Sequence, residues 1–285
     1  MWSMVGKVCL VTGATGGIGK ETAARLAGLG ATVIMVGRDA VRGEVAAEEI
    51  RRRVPDARVE SMAADLSRLA EVRGLAAQVL ARHDRLDVLV NNAGVIMMRR
   101  ELTADGLETT FATNHLGPFL LTGLLRELLE RSAPARVVTV SSAAHKQVRT
   151  IPWDDLATAA HVAPSQVYPL SKLLNVLFTV ELARRLEGTG VTANCLHPGF
   201  VRTDLGRHVT GPIGVLLRLI LPLQPGPRTG AATPVYLASS PEVAGVTGRY
   251  FVKSRAAEPS RLAGDAEAAA RLWALSEELV ERPEL

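Results

Sequence analysis

Short apolar runs alternate with longer amphipathic stretches along the chain. Runs that are apolar throughout, rather than at every second position, are typical of strands buried on both faces of a parallel sheet. The pattern predicts about seven such strands. They are Lys7–Val11, Thr32–Val36, Arg58–Met62, Leu86–Val90, Arg136–Val140, Val191–Cys195 and Arg249–Val252.

The stretches between these runs have helical spacing of apolar residues. They are Lys20–Leu29, Val41–Arg53, Leu69–His83, Leu107–Glu130 and Gln166–Leu186. Repeated strand-then-helix order predicts an α/β fold, in which a parallel sheet is doubly wound by helices on both faces. Residues 264–282 contain a further amphipathic helix, Asp265–Glu281. We find no repeat and no linker, so residues 1–285 are predicted to form a single domain.

One apolar segment, Gly211–Leu223, has Gly and Pro at its two ends. It is too short to span a bilayer. A buried helix, a lid over a substrate and a patch that contacts a membrane surface all explain it. Further along, Pro234 lies in the helical run Thr229–Ser239 and is expected to kink that helix or to mark its first turn.

Composition and charge exclude several classes of function. The formal net charge is +4, but the basic residues are dispersed and only 4% of residues are aromatic, so no nucleic-acid-binding surface is predicted. The cysteines, Cys9 and Cys195, lie in apolar strands and are expected to be buried, reduced thiols. No group of residues has the spacing of metal ligands. The first strand begins almost at once, which leaves no room for a signal peptide and predicts a cytoplasmic protein.

A glycine-rich loop follows the first strand and opens a helix. Glycines allow the backbone to approach a pyrophosphate, which the helix N-terminus attracts. The predicted cofactor contacts in this loop are Gly13, Thr15, Gly17, Ile18 and Gly19. Gly also marks ordinary turns, but the position between strand and helix at the start of the chain favours a dinucleotide site.

The end of the second strand indicates which dinucleotide is bound. NAD sites usually place an acidic residue there, whereas this chain has Arg38 after Gly37. A guanidinium can pair with a 2′-phosphate, so NADP(H) is the predicted cofactor; a surface arginine is the alternative. Lys20, after the last glycine of the loop, is a candidate for a second positive charge.

Polar and small residues follow strands three, four and five, where a ligand lies in such a sheet. Asp65 and Leu66 follow strand three, and Asn92, Ala93 and Gly94 follow strand four. Asp and Asn are also ordinary turn residues. Ser141 and Ser142 end strand five.

A tyrosine and a lysine lie four residues apart on the next predicted helix. Tyr168 and Lys172 therefore share a helical face, and we expect the ammonium to lower the pKa of the phenol so that it exchanges protons near neutral pH. Ser142 can hydrogen-bond the reacting oxygen. Because Pro169 is tolerated only in a first helical turn, the helix is predicted to begin with Ser165 as its N-cap. A Tyr–Lys pair alone is usually surface packing, but the order of all these motifs in one chain is not.

The chain resembles the short-chain dehydrogenase/reductase family, a Rossmann-type fold, over nearly its whole length. It is most similar to the retinol dehydrogenase branch. The stretches that carry the resemblance are TGATGGIGKETA, NNAGVIMM, NHLGPFLLT, ARVVTVSSAAH, YPLSKLLNVLFTVELARRLEGTGV and HPGFVRTDL.

The resemblance implies a catalytic tetrad of Asn114, Ser142, Tyr168 and Lys172, with a water held by Asn114 that relays protons from Lys172. It also implies that the nicotinamide lies beside Pro198, Gly199, Val201 and Thr203, and the adenine beside Asp65 and Leu66. Residues 204–226 are expected to form a small substrate flap. A homodimer or homotetramer is expected on the helices that contain Asn114 and Tyr168.

We therefore predict an NADP(H)-dependent oxidoreductase that transfers hydride between the nicotinamide and a hydrophobic aldehyde, ketone or alcohol. An NADP(H)-binding regulatory or scaffold protein with little catalysis is the alternative, because a fold does not dictate function. Weak contact of residues 211–223 with a membrane surface is a further possibility. His115 and His197 adjoin important positions but are interpreted as packing residues.

Overall fold

The predicted strands form one sheet in the computed structural model, which describes residues 3–201 and 224–281. The sheet has eight strands in the order β3-β2-β1-β4-β5-β6-β7-β8. They are β1 (Val8–Thr12), β2 (Thr32–Gly37), β3 (Arg58–Ala63), β4 (Val88–Asn91), β5 (Ala135–Val140), β6 (Val191–His197), β7 (Tyr250–Val252) and β8 (Arg255–Ala256).

Neighbouring strands from β3 to β7 are parallel, and only β8 runs antiparallel to its neighbour. The sequence analysis predicted about seven strands and missed β8, because a two-residue strand is too short to show any periodicity. The strand order reverses between β1 and β4. In a doubly wound sheet this reversal leaves a crevice at the carboxyl ends of the strands, where ligands bind.

Helices cover both faces of the sheet. They are α1 (Gly17–Gly28), α2 (Ala40–Arg53), α3 (Leu69–Arg82), α4 (Thr109–Phe111), α5 (Gly117–Leu124), α6 (Arg126–Arg131), α7 (Pro164–Arg185), α8 (Pro227–Gly230), α9 (Ala232–Ser239) and α10 (Ala266–Glu281). A core cluster of α3, α5, α7 and α10 residues packs on one face, and a cluster of α1, α2 and α9 residues packs on the other. Within the described residues, no helix is both long enough and apolar enough to cross a membrane.

The single helix predicted over Leu107–Glu130 is divided in the structure. A π-helical turn, Ala112–Leu116, separates α4 from α5, and a non-helical backbone conformation at Leu125 separates α5 from α6. Apolar spacing continues through both breaks, so periodicity alone does not reveal them.

The start of α7 corrects a second prediction. The helix begins at Pro164 with Ala163 as its N-cap, so the prediction of Ser165 as N-cap is wrong. Pro164 occupies the first helical position, where a missing N–H costs nothing. Pro169 therefore lies inside the helix, beyond its first turn. Pro234, by contrast, lies in the first turn of α9, which is one of the two placements expected for it.

The C-terminal helix α10 packs against α7. As a result α7 is buried on all sides between Val167 and Ala183, apart from the partly exposed Tyr168 and Val180. The residues of α5 from Gly117 to Thr122 are buried as well. These faces of α5 and α7 are covered within one chain, and the interface between copies expected from the resemblance stays a prediction.

Candidate active site and cofactor cleft

A cleft of about 910 Å³ lies at the carboxyl ends of the strands. Nearly all of the predicted site residues line it. These are Gly13, Thr15, Gly17, Ile18, Gly19, Arg38, Asp65, Leu66, Asn92, Ala93, Gly94, Ser142, Tyr168, Lys172, Pro198, Gly199 and Val201. Asn114 lies behind Gly94, and Thr203 and residues 204–223 of the predicted flap are outside the described residues.

The glycine-rich loop is packed too tightly for side chains. Gly13 and Gly17 have positive φ angles of 64° and 53°. A Cβ on Gly19 would overlap the Gly13 carbonyl oxygen and the Asn92 amide, and a Cβ on Gly13 would lie 2.9 Å from the Ala93 Cα. The loop therefore exposes backbone N–H groups at the start of α1, where Gly16 has no side chain to cap them. This cradle fits the pyrophosphate of a dinucleotide.

Asn92 and Thr12 hold the loop against the end of β4. The Asn92 Nδ2 donates to the Thr12 carbonyl oxygen at 2.7 Å, and the Thr12 Oγ1 accepts from the N–H groups of Asn92 and Ala93 at 3.0 Å. Asn92 thus lines the cleft, and its side chain holds the glycine-rich loop in place through the bond to Thr12.

The basic end of the cleft lies beyond β2. Arg38, a predicted cofactor contact, lines it and is exposed, and Arg42 on α2 lines it too. The carboxylate of Asp39 accepts from the Arg42 N–H at 3.0 Å and caps α2. Within the described residues, neither guanidinium forms an ion pair.

Lys20 does not supply the second positive charge that we expected. Its Nζ lies 2.6 Å from the Glu49 carboxylate, and the residue is not part of the cleft. Arg42 supplies that charge instead. The sequence signal for it was a basic residue in the first turn of the helix that follows Arg38.

Asp65 and Leu66 border the cleft after β3, the strand next to β2. The Asp65 Oδ1 accepts from the backbone N–H of Ser67 at 2.9 Å and from its hydroxyl at 2.8 Å. Gly117 of α5 packs directly on the Leu66 carbonyl oxygen, which a Cβ would overlap. Both residues are thus held rigidly at this edge.

The predicted catalytic residues Ser142, Tyr168 and Lys172 meet at the other end of the cleft. The Ser142 side chain lies close enough to the Tyr168 phenol to lower its pKa, and the Lys172 Nζ lies 5.6 Å from the centre of the Tyr168 ring. The Lys172 Nζ also donates to the Val140 carbonyl oxygen at 3.0 Å. The Ser141 hydroxyl donates to the Lys172 carbonyl oxygen at 2.7 Å and so links the end of β5 to α7.

Burial dominates the proton affinities here. It raises the pKa of Tyr168, which the Ser142 side chain opposes, and it lowers the pKa of Lys172 to about 8. The expectation that Lys172 lowers the pKa of Tyr168 is not supported, because the desolvation of the phenol is the larger effect. Tyr168 consequently keeps its proton at neutral pH, as a proton donor must.

Asn114 fixes the loop beside Lys172. Its Oδ1 accepts from the Val95 N–H at 2.8 Å, and its Nδ2 donates to the Val95 carbonyl oxygen and to the Ser171 hydroxyl, both at 3.0 Å. A Cβ on Gly94 would lie 3.3 Å from the Asn114 Oδ1 and 3.4 Å from the Lys172 Nζ. The side chain of Asn114 is thereby fully used, and the proton relay stays a prediction.

Three histidines surround the site. His115 bonds to the Ser276 hydroxyl at 2.9 Å, and burial lowers its pKa to about 3, which supports the interpretation as a packing residue. His197 lines the cleft, and burial lowers its pKa. The sequence analysis missed His145, which contacts the Ser142 carbonyl oxygen at 2.6 Å. Its only sequence signal was its position three residues after Ser142.

Within the described residues, neither a metal-binding cluster nor the second cavity offers an alternative site for the predicted chemistry. Residues 3–201 and 224–281 contain no cluster of His, Cys, Asp and Glu that could hold a metal ion. A second cavity of about 780 Å³, around Asp87 and Arg136, contains none of the predicted site residues.

Comparisons with known proteins agree with this geometry. A family model described as short chain dehydrogenase matches residues 7–212. Human Retinol dehydrogenase 14 is 47% identical over 97% of this chain and 87% of its own length. Human Retinol dehydrogenase 12 is 46% identical over 96% of this chain and 86% of its own length.

Solved structures are similar as well. A crystal structure of an uncharacterised protein from Mycobacterium Paratuberculosis superposes with a TM-score of 0.80 and 36% identity, and the match covers 100% of this chain and 97% of that chain. The Pseudomonas aeruginosa RhlG/NADP active-site complex gives a TM-score of 0.70 and 27% identity, over 94% of this chain and 98% of that chain. The chain therefore belongs to the short-chain dehydrogenase family, in its retinol dehydrogenase-like branch, and is an oxidoreductase of the kind that binds a nicotinamide cofactor.

Proposed function

We propose that this oxidoreductase uses NADP(H) to interconvert a hydrophobic aldehyde or ketone and the matching alcohol. The observation that carries the proposal is the meeting of Ser142, Tyr168 and Lys172 at one end of the cleft, with Asn114 directly behind. A protein that only bound a nucleotide would have no physical need for a buried lysine beside the tyrosine of the cleft, since burying the ammonium is costly.

The basic end of the cleft supports NADP(H) rather than NAD(H). Arg38 and Arg42 are both exposed at the cleft, at the place where NAD-binding folds offer a carboxylate to the ribose. The nearest carboxylate, Asp39, is engaged as the cap of α2. Two guanidinium groups without acidic partners in the described residues suit a 2′-phosphate, which accepts charge-assisted hydrogen bonds.

The residues of the chain divide the chemistry between them. When bound, the nicotinamide supplies or accepts the hydride. In the direction of reduction, Tyr168 donates its phenolic proton to the carbonyl oxygen of the substrate, and the Ser142 hydroxyl hydrogen-bonds the same oxygen. The positive charge of Lys172, whose Nζ is held by the Val140 carbonyl oxygen, then stabilises the phenolate electrostatically.

Apolar groups favour a hydrophobic substrate. Val95, Ile96 and Phe200 line the catalytic end of the cleft, and Phe200 is 77% exposed. The names of the similar human proteins, retinol dehydrogenases, point to the same chemical class. We further propose that the protein is cytoplasmic and forms a homodimer or homotetramer.

The proposal is tested by following NADPH oxidation, with NADH alongside, against a panel of hydrophobic aldehydes and ketones that includes retinal and aromatic ketones. We expect NADPH-dependent turnover that Tyr168→Phe abolishes, while NADPH binding measured by calorimetry stays close to that of the unchanged protein. Turnover that survives in Tyr168→Phe would contradict the mechanism. Tight NADPH binding without turnover on any substrate would instead support a regulatory or scaffold role.

A further inference from the structure

His145 lies behind the catalytic serine and outside the cleft. It belongs to a short 3-10 helix, Ala143–Gln147, that follows Ser142. Ala143, Ala144 and Gln147 line the cleft, whereas His145 is 0% exposed and faces the interior. Because His145 does not line the cleft itself, we expect any effect on the reaction to act through the cleft residues beside it, chiefly Ser142.

The hydrogen bonds of the ring fix its protonation state. The backbone N–H of Ser260 donates to the His145 Nε2 at 3.0 Å. Because a backbone N–H can only donate, the Nε2 must be unprotonated, and the proton of the neutral ring is on the Nδ1. The Nδ1–H then donates to the Ser142 carbonyl oxygen at 2.6 Å. Burial lowers the pKa of His145, which agrees with a neutral ring.

These contacts hold Ser142 from the backbone side. Its carbonyl oxygen accepts from the His145 ring at 2.6 Å and from the His145 backbone N–H at 3.1 Å. Its Oγ accepts from the Ala144 N–H at 3.2 Å and acts on the pKa of the nearby Tyr168 phenol. The orientation of the catalytic hydroxyl is therefore linked to the position of the His145 ring.

The far side of the ring is held by the C-terminal part of the chain. Besides the bond to Ser260, the ring packs edge-on against Tyr250, with 5.0 Å between ring centres. Lys146 joins the same two segments through a 3.0 Å hydrogen bond to the Glu258 carbonyl oxygen. Lys146 makes no contact with Ser142, which makes it a matched control for His145.

We propose that His145 is a positioning residue: its neutral ring connects the backbone at Ser260 to the Ser142 carbonyl and thereby orients the catalytic hydroxyl. This inference rests on the proposed function and adds to it a residue outside the tetrad. According to this inference Ser260, which follows β8 and lies far from the tetrad in sequence, affects the rate of the reaction through His145.

Two substitutions of His145 separate its two hydrogen bonds. His145→Asn keeps a donor near the place of Nδ1 and loses the acceptor for Ser260, whereas His145→Gln keeps an acceptor near the place of Nε2 and loses the donor to Ser142. Ser260→Pro removes the backbone N–H and a hydroxyl that forms no hydrogen bond within the described residues, and the φ of −71° at Ser260 is already the one that proline requires.

The experiment measures kcat, KM and NADPH binding on the best carbonyl substrate, together with the melting temperature of each variant. We expect His145→Gln to lower kcat by about 10- to 100-fold, because small errors in the position of a catalytic group are costly, while NADPH binding is unchanged. His145→Asn should retain most of kcat, Ser260→Pro should be intermediate, and Lys146→Ala should match the unchanged protein.

Equal kcat values for His145→Asn and His145→Gln would overturn the inference, because the donor to Ser142 would then be irrelevant. If His145→Gln does not fold, the test is the comparison of Ser260→Pro with Lys146→Ala. A lower kcat for Ser260→Pro at an unchanged melting temperature supports the inference, and an unchanged kcat for Ser260→Pro overturns it. Absence of turnover in the unchanged protein is a different result, since it overturns the proposed function and the catalytic role of His145 together.

Discussion

The buried ammonium of Lys172 lowers the stability of the fold at neutral pH, although the proposed reaction needs it. Its ammonium is buried, and burial lowers its pKa from 10.5 to about 8. Below about pH 8 both the folded and the unfolded chain carry the proton, so the folded state bears the full cost of the buried charge. Between about pH 8 and 10.5 only the unfolded chain keeps the proton, and the free energy of unfolding rises with pH in this window.

Lys172→Met should therefore stabilise the fold while it removes activity. We expect the free energy of unfolding at pH 7 to rise by about 1 to 3 kcal/mol, less than the full burial cost because the hydrogen bond to the Val140 carbonyl oxygen is lost. Urea unfolding at pH 7 and pH 10 measures the effect, and the gain should shrink at the higher pH. Destabilisation at both pH values would contradict the direction of the pKa shift.

Arg38 and Arg42 should determine the choice between the two nicotinamide cofactors. We expect Arg38→Ala and Arg42→Ala each to raise the KM for NADPH by about 10- to 100-fold, the value of a charge-assisted hydrogen bond, with little effect on the KM for NADH. Lys20→Ala is the control, because Lys20 pairs with Glu49 outside the cleft. Equal increases in the KM for NADPH and the KM for NADH would show that the guanidinium groups do not bind the 2′-phosphate.

At the scale of elements, the glycine-rich loop depends on contact between the loop and the end of β4. Gly19→Ala would place a methyl group against the Gly13 carbonyl oxygen and the Asn92 amide, so the loop would have to shift. We expect weaker NADPH binding by calorimetry and a lower melting temperature. Gly74→Ala in α3 is the matched control, because its Cβ meets nothing within 4 Å, and it should stabilise by about 0.5 to 1 kcal/mol. NADPH affinity that Gly19→Ala leaves unchanged would contradict the close packing of the loop.

The strands could be predicted from the sequence, whereas the π-helical turn and the start of α7 could not. The strands were predictable because burial on both faces makes each run apolar throughout, as in β1 and β2. The π-helical turn around Asn114 was not, since it accompanies side-chain contacts with Val95, which is distant in sequence. The start of α7 was misplaced because Pro164 and Pro169 both permit a helix start, and only the fold selects the first.

Site residues follow the same division. Gly13, Tyr168 and the other residues of the motifs lie at strand ends or on a shared helical face, so their convergence follows from topology. Arg42 and His145 lie on elements whose orientation depends on tertiary packing. Their roles became visible only when Lys20 was found paired with Glu49 and when Ser260 was found against the imidazole.

At the scale of the whole molecule, α10 closes the side of the fold that holds α5 and α7. Trp273 carries much of this contact, with its ring centre 4.9 Å from that of Phe119 and 5.9 Å from that of Phe178, and the Arg185 guanidinium lies 4.3 Å over the same ring. Trp273→Ala should lower the free energy of unfolding by about 2 to 4 kcal/mol. Arg271→Ala, which removes only a contact with Trp153, is the control and should cost about 1 kcal/mol or less.

The same variant locates the interface of the proposed oligomer. The Trp273 ring packs against Phe119 and Phe178 of its own chain, so Trp273→Ala should leave the native mass unchanged when light scattering is measured below its melting temperature. A mass that falls to 30.4 kDa only in this variant would place the interface on α10. A mass of 30.4 kDa for the unchanged protein would contradict the oligomer itself.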